Sequence, residues 1–153
     1  MYKIAIIEEI HEDGIRLIED NPKFSHEVIT DVSPENLIKK LPNFDGCTLR
    51  VSKLNSNILK HCKKLKVISR HGVGYDNIDL KIPKKNNITL AITATANAVA
   101  VAEHVMFMLL NISKRKNMYD NAVKDGKFSD RNKLPKTLEL WDKNILIAGF
   151  GRI

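Results

Sequence analysis

The feature that most constrains the fold is an alternation of short apolar runs with amphipathic segments along the first 92 residues. Runs of four or five apolar residues have the length of β-strands, and the segments between them have helical spacing. Strands separated by helices of this size predict a parallel sheet with helices on both faces. We therefore predict an α/β fold, a flavodoxin-like doubly wound parallel sheet that binds ligands at the carboxyl ends of its strands. The predicted strands are residues 4–7, 26–30, 47–51, 65–69 and 88–92. Ser33 followed by Pro34 predicts the start of one of the helices.

A long helix is predicted over residues 97–116, with Asn97 as its N-cap. We call this segment the crossing helix. Apolar residues occupy two of its faces, which predicts burial on two sides, between domains or between subunits. One face carries Val99, Ala102, Met106 and Leu110, and the other carries Val101, Val105, Met108 and Ile112. We expect residues 1–96 to form one domain, and residues 97–153 to contain the crossing helix, a linker and the start of a second domain.

A glycine pattern closes the chain. Residues 144–148 are apolar after Asn144 and predict a strand, and Gly149 and Gly151 follow directly. Two such glycines after a strand are typical of the G-x-G-x-x-G turn of a dinucleotide-binding Rossmann domain, where backbone approaches a pyrophosphate. The third glycine, the phosphate-binding helix and the acidic ribose ligand would lie beyond residue 153. We therefore expect only the first strand of an incomplete Rossmann domain, and no useful binding of NAD by this chain alone.

Another pair of glycines follows the fourth predicted strand, in the sequence Arg70-His71-Gly72-Val73-Gly74. Glycines separated by one residue let backbone amides gather around an anion. An ordinary tight turn accounts for the same pattern equally well. The position at the carboxyl end of a strand favours a role in ligand binding.

Composition narrows the classes of function. The net charge of +7 permits nucleic-acid binding, but the lysines are scattered and only 6% of residues are aromatic, so we expect no nucleic-acid partner. Cys47 and Cys62 are too far apart for a metal or redox motif and are predicted to be buried thiols in a reducing compartment. Residues 98–110 are interrupted by Glu103 and His104 and are too short to span a bilayer, and no secretory signal opens the chain. We expect a cytoplasmic protein with no metal site and no membrane partner.

Three motifs together resemble the D-isomer-specific 2-hydroxyacid dehydrogenases. They are RHGVGYDNID at residues 70–79, NAVAVAEH at residues 97–104 and GFGRI at residues 149–153, in the order and spacing of that family. Within the family, the chain is most similar to the phosphoglycerate dehydrogenases. The resemblance implies a two-domain oxidoreductase that moves a hydride between NAD and C2 of a small 2-hydroxy or 2-oxo acid. It also implies an N-terminal fragment that holds part of the substrate domain, the crossing helix and the start of the cofactor domain.

The resemblance also implies roles for particular residues. The substrate-binding residues would be Arg50, Arg70, Val73 and Gly74, with the backbone of the last two on the substrate carboxylate. The two arginines would face the far end of a phosphorylated substrate, because a guanidinium fork is bidentate; surface ion pairs are the alternative for both. The cofactor-binding residues would be Val73, Asn97, Val101, Gly149, Gly151, Arg152 and Ile153.

The chain departs from the family pattern in two places. The family normally has a proline near residues 93–96, and none is present here. More important, the family's catalytic arginine, carboxylate and histidine would all lie beyond residue 153, so we assign no catalytic residue. His71 and His104 are expected to be structural.

Two hypotheses follow. The first is a fragment of an NAD-dependent D-2-hydroxyacid dehydrogenase that is inactive by itself and forms a homodimer through the crossing helix. The alternative is a stand-alone anion-binding or dimerisation module derived from that family.

Overall fold

The computed structural model describes residues 1–153. Its strands are β1 (Tyr2–Ile7), β2 (Phe24–Ile29), β3 (Gly46–Leu49), β4 (Val67–Arg70) and β5 (Thr89–Ile92). All pair in parallel, in the order β2-β1-β3-β4-β5. This is the flavodoxin-like order, so the predicted fold class is confirmed. The helices are α1 (Glu12–Glu19), α2 (Pro34–Lys40), α3 (Ser56–Leu59), α4 (Lys81–Lys85), α5 (Ala98–Lys114) and α6 (Lys116–Lys124).

Polar side chains begin the helices of the sheet domain at the positions that the sequence favours. The Ser33 hydroxyl accepts a hydrogen bond from the Asn36 amide at 3.4 Å, and Pro34 is the first residue of α2, as predicted. Asn55 accepts similarly from the Ile58 amide at 3.1 Å before α3. These caps satisfy amides that have no partner inside the helix. They therefore fix where each crossover begins.

The core lies on both faces of the sheet, between the strands and helices α2, α3 and α4. β1 is central, and its Ala5, Ile6 and Ile7 are all fully buried, as expected for a parallel strand covered on both faces. Cys47 and Cys62 belong to the same core as free thiols, which confirms that prediction. The other fully buried large side chains are Ile29, Leu37, Leu41, Leu49, Leu54, Ile58, Leu59 and Ile68.

The chain divides into two compact units, Met1–Ala94 and Thr95–Ile153. The first contains the sheet and α1 to α4, and the second contains α5, α6 and a short 3-10 helix (Phe128–Lys133). α5 ends where Arg115 adopts a left-handed conformation with φ of 51°, and α6 begins at the next residue. The assignment of the second unit to a cofactor domain stays a prediction.

The apolar faces of α5, which forms most of the crossing helix, are largely open to solvent in this chain. Ser113 is its one buried residue, whereas Val99 and Ile112 are 72% and 78% exposed. An apolar surface of this kind is typical of a contact with another domain or subunit. The predicted position of this helix between two such bodies is not tested by the chain alone.

The end of the chain differs from the expectation. Residues 144–148 form no strand, and Leu146 and Ile147 are 92% and 78% exposed. The second unit contains no other strand, so the apolar run has no neighbour with which to form ladder hydrogen bonds. The apolar sequence required for a strand is present, but the sheet that would stabilise it is not formed by these residues.

Candidate functional site

The carboxyl ends of β3 and β4 bring the two candidate arginines together. Leu49, the last residue of β3, pairs in register with Arg70, the last residue of β4. Arg50 follows Leu49 directly, so both arginines leave the sheet at the edge where parallel α/β sheets bind ligands. Their proximity is therefore fixed by the ladder and not by the loops.

The loop after β4 has the free amides expected of an anion site. The N–H groups of Val73 and Gly74 donate no hydrogen bond within the chain, although the neighbouring His71 amide donates to the Leu49 carbonyl at 2.8 Å. Both residues are exposed. Gly72 has φ of 151°, a conformation that side chains disfavour, so a glycine is needed there to make the turn. Two adjacent donors thus remain available to a ligand.

These residues line an open depression of about 440 Å³, which we call the strand-end depression. It is lined by Val51, Lys53, Arg70, Gly74, Asp76 and Asn77. Lys53 and Arg70 give it positive charge, and Asp76 is the one acidic side chain on its wall. Asp76 lies beside Gly74, since a Cβ built on that glycine would be 3.6 Å from its Oδ2. The balance of charge favours a small anion over a cation.

The two arginines are oriented differently. Arg70 lies on the wall of the depression, but its guanidinium is folded onto the His71 carbonyl of its own loop, and its buried Nε has no partner. Arg50 is exposed and donates from Nη1 to the Glu9 carbonyl at 3.0 Å, so it does not line the depression. Neither arginine makes an ion pair with a carboxylate side chain, which was the alternative considered from the sequence.

Sequence reasoning missed two residues that hold this edge of the sheet. One carboxylate oxygen of Glu8, just after β1, accepts from the amides of Arg50, Val51 and Ser52 at 3.2, 2.8 and 3.2 Å. Asn77 donates from its side chain to the carbonyls of Arg50 and Ser52 at 3.2 and 2.8 Å. Burial acts to raise the pKa of Glu8, but these amide hydrogen bonds outweigh it and hold the pKa below its ordinary value of 4.5.

The candidate cofactor residues lie in the second unit, apart from Val73. Asn97 is exposed at the N-cap position of α5, where its side chain makes no capping bond, and Val101 donates its amide to the Asn97 carbonyl at 2.9 Å. Gly149, Gly151, Arg152 and Ile153 lie in the exposed terminal segment. A Cβ built on either glycine would meet no atom within 4 Å, so no cradle surrounds them. The residues present do not by themselves fit a dinucleotide, because the turn lacks both its strand and its helix.

The remaining reactive side chains show no other site. Burial raises the pKa of the Cys62 thiol to about 11 and that of Cys47 further still, which makes both poor nucleophiles. His71 and His104 are exposed, and the ring of His104 lies 5.8 Å from that of Phe107. No three His, Cys, Asp or Glu side chains are arranged to hold a metal ion. The structure also has no helix with the length and apolar character needed to cross a membrane.

Comparison with known proteins agrees with this geometry. The family model described as "D-isomer specific 2-hydroxyacid dehydrogenase, catalytic domain" matches residues 4–141. The chain therefore belongs to the D-isomer-specific 2-hydroxyacid dehydrogenase family, and the resemblance inferred from its three motifs is confirmed.

The relatives extend well beyond the matched region. The D-3-phosphoglycerate dehydrogenase of Methanocaldococcus jannaschii is 32% identical over 154 aligned residues, which cover 100% of this chain and 29% of that protein. The 153 residues thus span less than a third of that relative, in agreement with the expectation of a part of a longer enzyme.

Solved structures agree on the fold. A glyoxylate/hydroxypyruvate reductase from Sinorhizobium meliloti, in complex with NADP and malonate, superposes with a TM-score of 0.82 at 18% identity. The match covers 99% of this chain and 47% of the reductase. The 3-phosphoglycerate dehydrogenase of Entamoeba histolytica, with NAD+ bound, gives a TM-score of 0.65 at 29% identity, over 74% of this chain and 39% of that enzyme. The family is one of NAD(P)-binding oxidoreductases.

Proposed function

We propose that this chain supplies the substrate-binding part of an NAD-dependent D-2-hydroxyacid dehydrogenase, which moves a hydride between NAD and C2 of a small 2-hydroxy acid. The observation that carries the proposal is the strand-end depression, with Arg70 and the free amide of Gly74 on one wall. Free amides beside a guanidinium recognise a carboxylate or a phosphate.

The substrate is proposed to bind by both of its ends. The amides of Val73 and Gly74 hold the carboxylate next to C2, because they are adjacent and unpaired. Arg70 turns from the His71 carbonyl onto the far end of the substrate, and Arg50 can join it by leaving the Glu9 carbonyl. Both movements exchange a neutral acceptor for a charged one, which is the stronger hydrogen bond. Two guanidinium groups favour a phosphate, so 3-phosphoglycerate is the first candidate substrate.

The hydride chemistry is proposed for a longer protein. NAD supplies the hydride acceptor when it is bound, and hydride transfer also requires an acid/base group at the substrate oxygen. No residue of this chain is assigned that role. Val73, Asn97, Val101, Gly149, Gly151, Arg152 and Ile153 are proposed to contact the cofactor once the Rossmann sheet is complete. We also propose a cytoplasmic location, in keeping with the two unpaired thiols.

A second candidate function is a dimerisation or anion-binding module, and the exposed side chains of α5 favour it. Val105, Met106, Phe107 and Met108 are each between 43% and 56% exposed. We propose that the chain forms a homodimer through this helix, whether or not a longer enzyme is completed.

The test of the proposed function is an NMR titration of the whole chain with 3-phosphoglycerate and, separately, with glycerate. Both should move the amide signals of Val73 and Gly74. Arg70→Ala should weaken 3-phosphoglycerate by roughly 10- to 150-fold, the range for a lost charge-assisted hydrogen bond, and leave glycerate nearly unchanged. Arg16→Ala is the matched control, because Arg16 pairs with Glu12 and Asp13 on α1. Amide signals of Val73 and Gly74 that stay unmoved by both acids would refute the proposal.

A further inference from the structure

The carboxyl end of β3 contains a second set of amides that could bind an anion, at Arg50, Val51 and Ser52. All three point to one oxygen of Glu8, at 3.2, 2.8 and 3.2 Å. Successive amides directed at one oxygen form an anion-binding nest. In this chain the nest is therefore occupied by a carboxylate that belongs to the protein, and we call residues 50–52 the filled nest.

The filled nest is also held from its other side. Asn77 donates to the carbonyls of Arg50 and Ser52, at 3.2 and 2.8 Å. Asn77 belongs to the loop that carries Val73 and Gly74, and both Asn77 and Val51 line the strand-end depression. The two loops that form the depression are thus joined through this segment. A movement of residues 50–52 would change the wall of the depression.

Glu8 adopts an unusual backbone conformation to reach the nest. Its φ is 66°, in the left-handed region that residues other than glycine, asparagine and aspartate rarely occupy. Such a conformation persists when the surrounding structure determines it, and it is common at ligand-binding sites. No cation neutralises the carboxylate, since Glu8 takes part in no ion pair and Arg50 donates to the Glu9 carbonyl instead. The backbone amides are its principal partners.

The position of Glu8 matters because β1 and β3 are neighbours at the centre of the sheet. In the order β2-β1-β3-β4-β5 the connections reverse direction at this pair, and the crevice at that point is the usual ligand site. Here the carboxylate of Glu8 fills the amides at the reversal. The unpaired amides of Val73 and Gly74 lie at the end of β4 instead.

We propose that Glu8 is a positioning residue: it fills the nest at residues 50–52, fixes the wall of the strand-end depression, and leaves the amides of Val73 and Gly74 as the anion site. The last part rests on the proposed function, since it assigns the substrate carboxylate to those two amides. Removal of the side chain should therefore have two effects. The depression loses a fixed wall, and a second anion site opens at residues 50–52.

The test compares the wild-type chain with Glu8→Ala by amide NMR, using formate as the probe. In the wild type, formate should move Val73 and Gly74 and leave Val51 unchanged. In Glu8→Ala, the Val51 signal should lose the downfield shift of a charge-assisted hydrogen bond, and saturating formate should restore it. Glu9→Ala is the matched control, because the neighbouring Glu9 uses only its carbonyl. Glu8→Asp, which keeps the carboxylate on a shorter stem, should partly restore the wild-type Val51 signal without formate.

The affinity for 3-phosphoglycerate provides a second measurement. Glu8→Ala should bind it roughly 2- to 10-fold more weakly than wild type, the range expected when one further group must be ordered on binding. If Glu8→Ala does not fold, Glu8→Gln replaces it, because glutamine keeps the size and removes the charge; its Val51 signal should move upfield. A Val51 amide that keeps its wild-type shift in the folded variant, or that does not respond to formate, overturns the inference. Failure of the proposed function would be seen separately, as unmoved Val73 and Gly74 signals in the wild type.

Discussion

The substitution Leu49→Ala tests the packing that brings Arg50 and Arg70 together. Leu49 is 0% exposed, pairs with Ile7 on one side and with Arg70 on the other, and is followed directly by Arg50. Removal of three carbon groups at roughly 0.8 kcal/mol each costs about 2.4 kcal/mol. The cavity left in a sheet that cannot collapse raises the loss to about 3–5 kcal/mol of the free energy of unfolding.

A loss of this size is large for the first unit, which folds around a single core. Domains of this length unfold with about 5–15 kcal/mol, so Leu49→Ala should remove a substantial part of the stability. At roughly 4–8 °C for each kcal/mol, the midpoint of thermal unfolding should fall by at least about 12 °C. Urea unfolding followed by far-ultraviolet circular dichroism is the suitable assay. Tryptophan fluorescence is not, because Trp141 is 87% exposed and lies in the second unit.

The control for this experiment is Leu17→Ala, the same chemical change at a side chain on α1 that is 76% exposed. Its free energy of unfolding should stay within about 0.5 kcal/mol of wild type. If Leu49→Ala were also within about 1 kcal/mol of wild type, the description of β3 as a central, fully packed strand would be wrong. The structural basis for placing Arg50 beside Arg70 would then be lost as well.

Further predictions concern association, cofactor, thiols and acid. The chain should self-associate at low micromolar concentration, and Ile112→Ser on α5 should weaken this; sedimentation as a monomer of 17.4 kDa would contradict it. Calorimetry should detect no saturable binding of NAD at micromolar concentration, because the terminal segment forms no phosphate cradle. Cys47 and Cys62 should react with a thiol reagent at pH 8 only after unfolding, since their pKa values are raised. The pKa of Glu8 is lowered from 4.5, so its contribution to stability should be complete above about pH 4.5 and decline as the pH falls through the folded value; a urea series in which Glu8→Gln keeps the full wild-type acid dependence would contradict this.

The parts of the fold that could be predicted from the sequence are those with a local signal. Ile4 to Ile7 are apolar without interruption, and that pattern alone is typical of a strand covered on both faces. Ser33 before Pro34 predicts a helix start because both residue types act through their own backbone. The strand order then follows from the alternation of strands with helices, since few topologies are compatible with it.

The parts that could not be predicted depend on contacts between distant residues. The hydrogen bonds from residues 50–52 to Glu8 join positions more than 40 residues apart, and no spacing in the sequence predicts them. The prediction for residues 144–148 failed for a related reason, because an apolar run becomes a strand only beside another strand. Asn77 could have been noticed, since it stands within the motif at residues 70–79. Its two carbonyl partners could not.

The register between Leu49 and Arg70 has a consequence for how sequences of this kind can diverge. The spacing of the two arginines is set by the ladder between β3 and β4, in which Gly46 pairs with Val67 and Leu49 with Arg70. The 16 or so residues that connect the strands run over the surface, where insertions and deletions are tolerated. That connection can therefore change in length between related genes while the arginines keep their separation. A single-residue insertion inside β4 would instead turn alternate side chains to the opposite face and carry Arg70 with them.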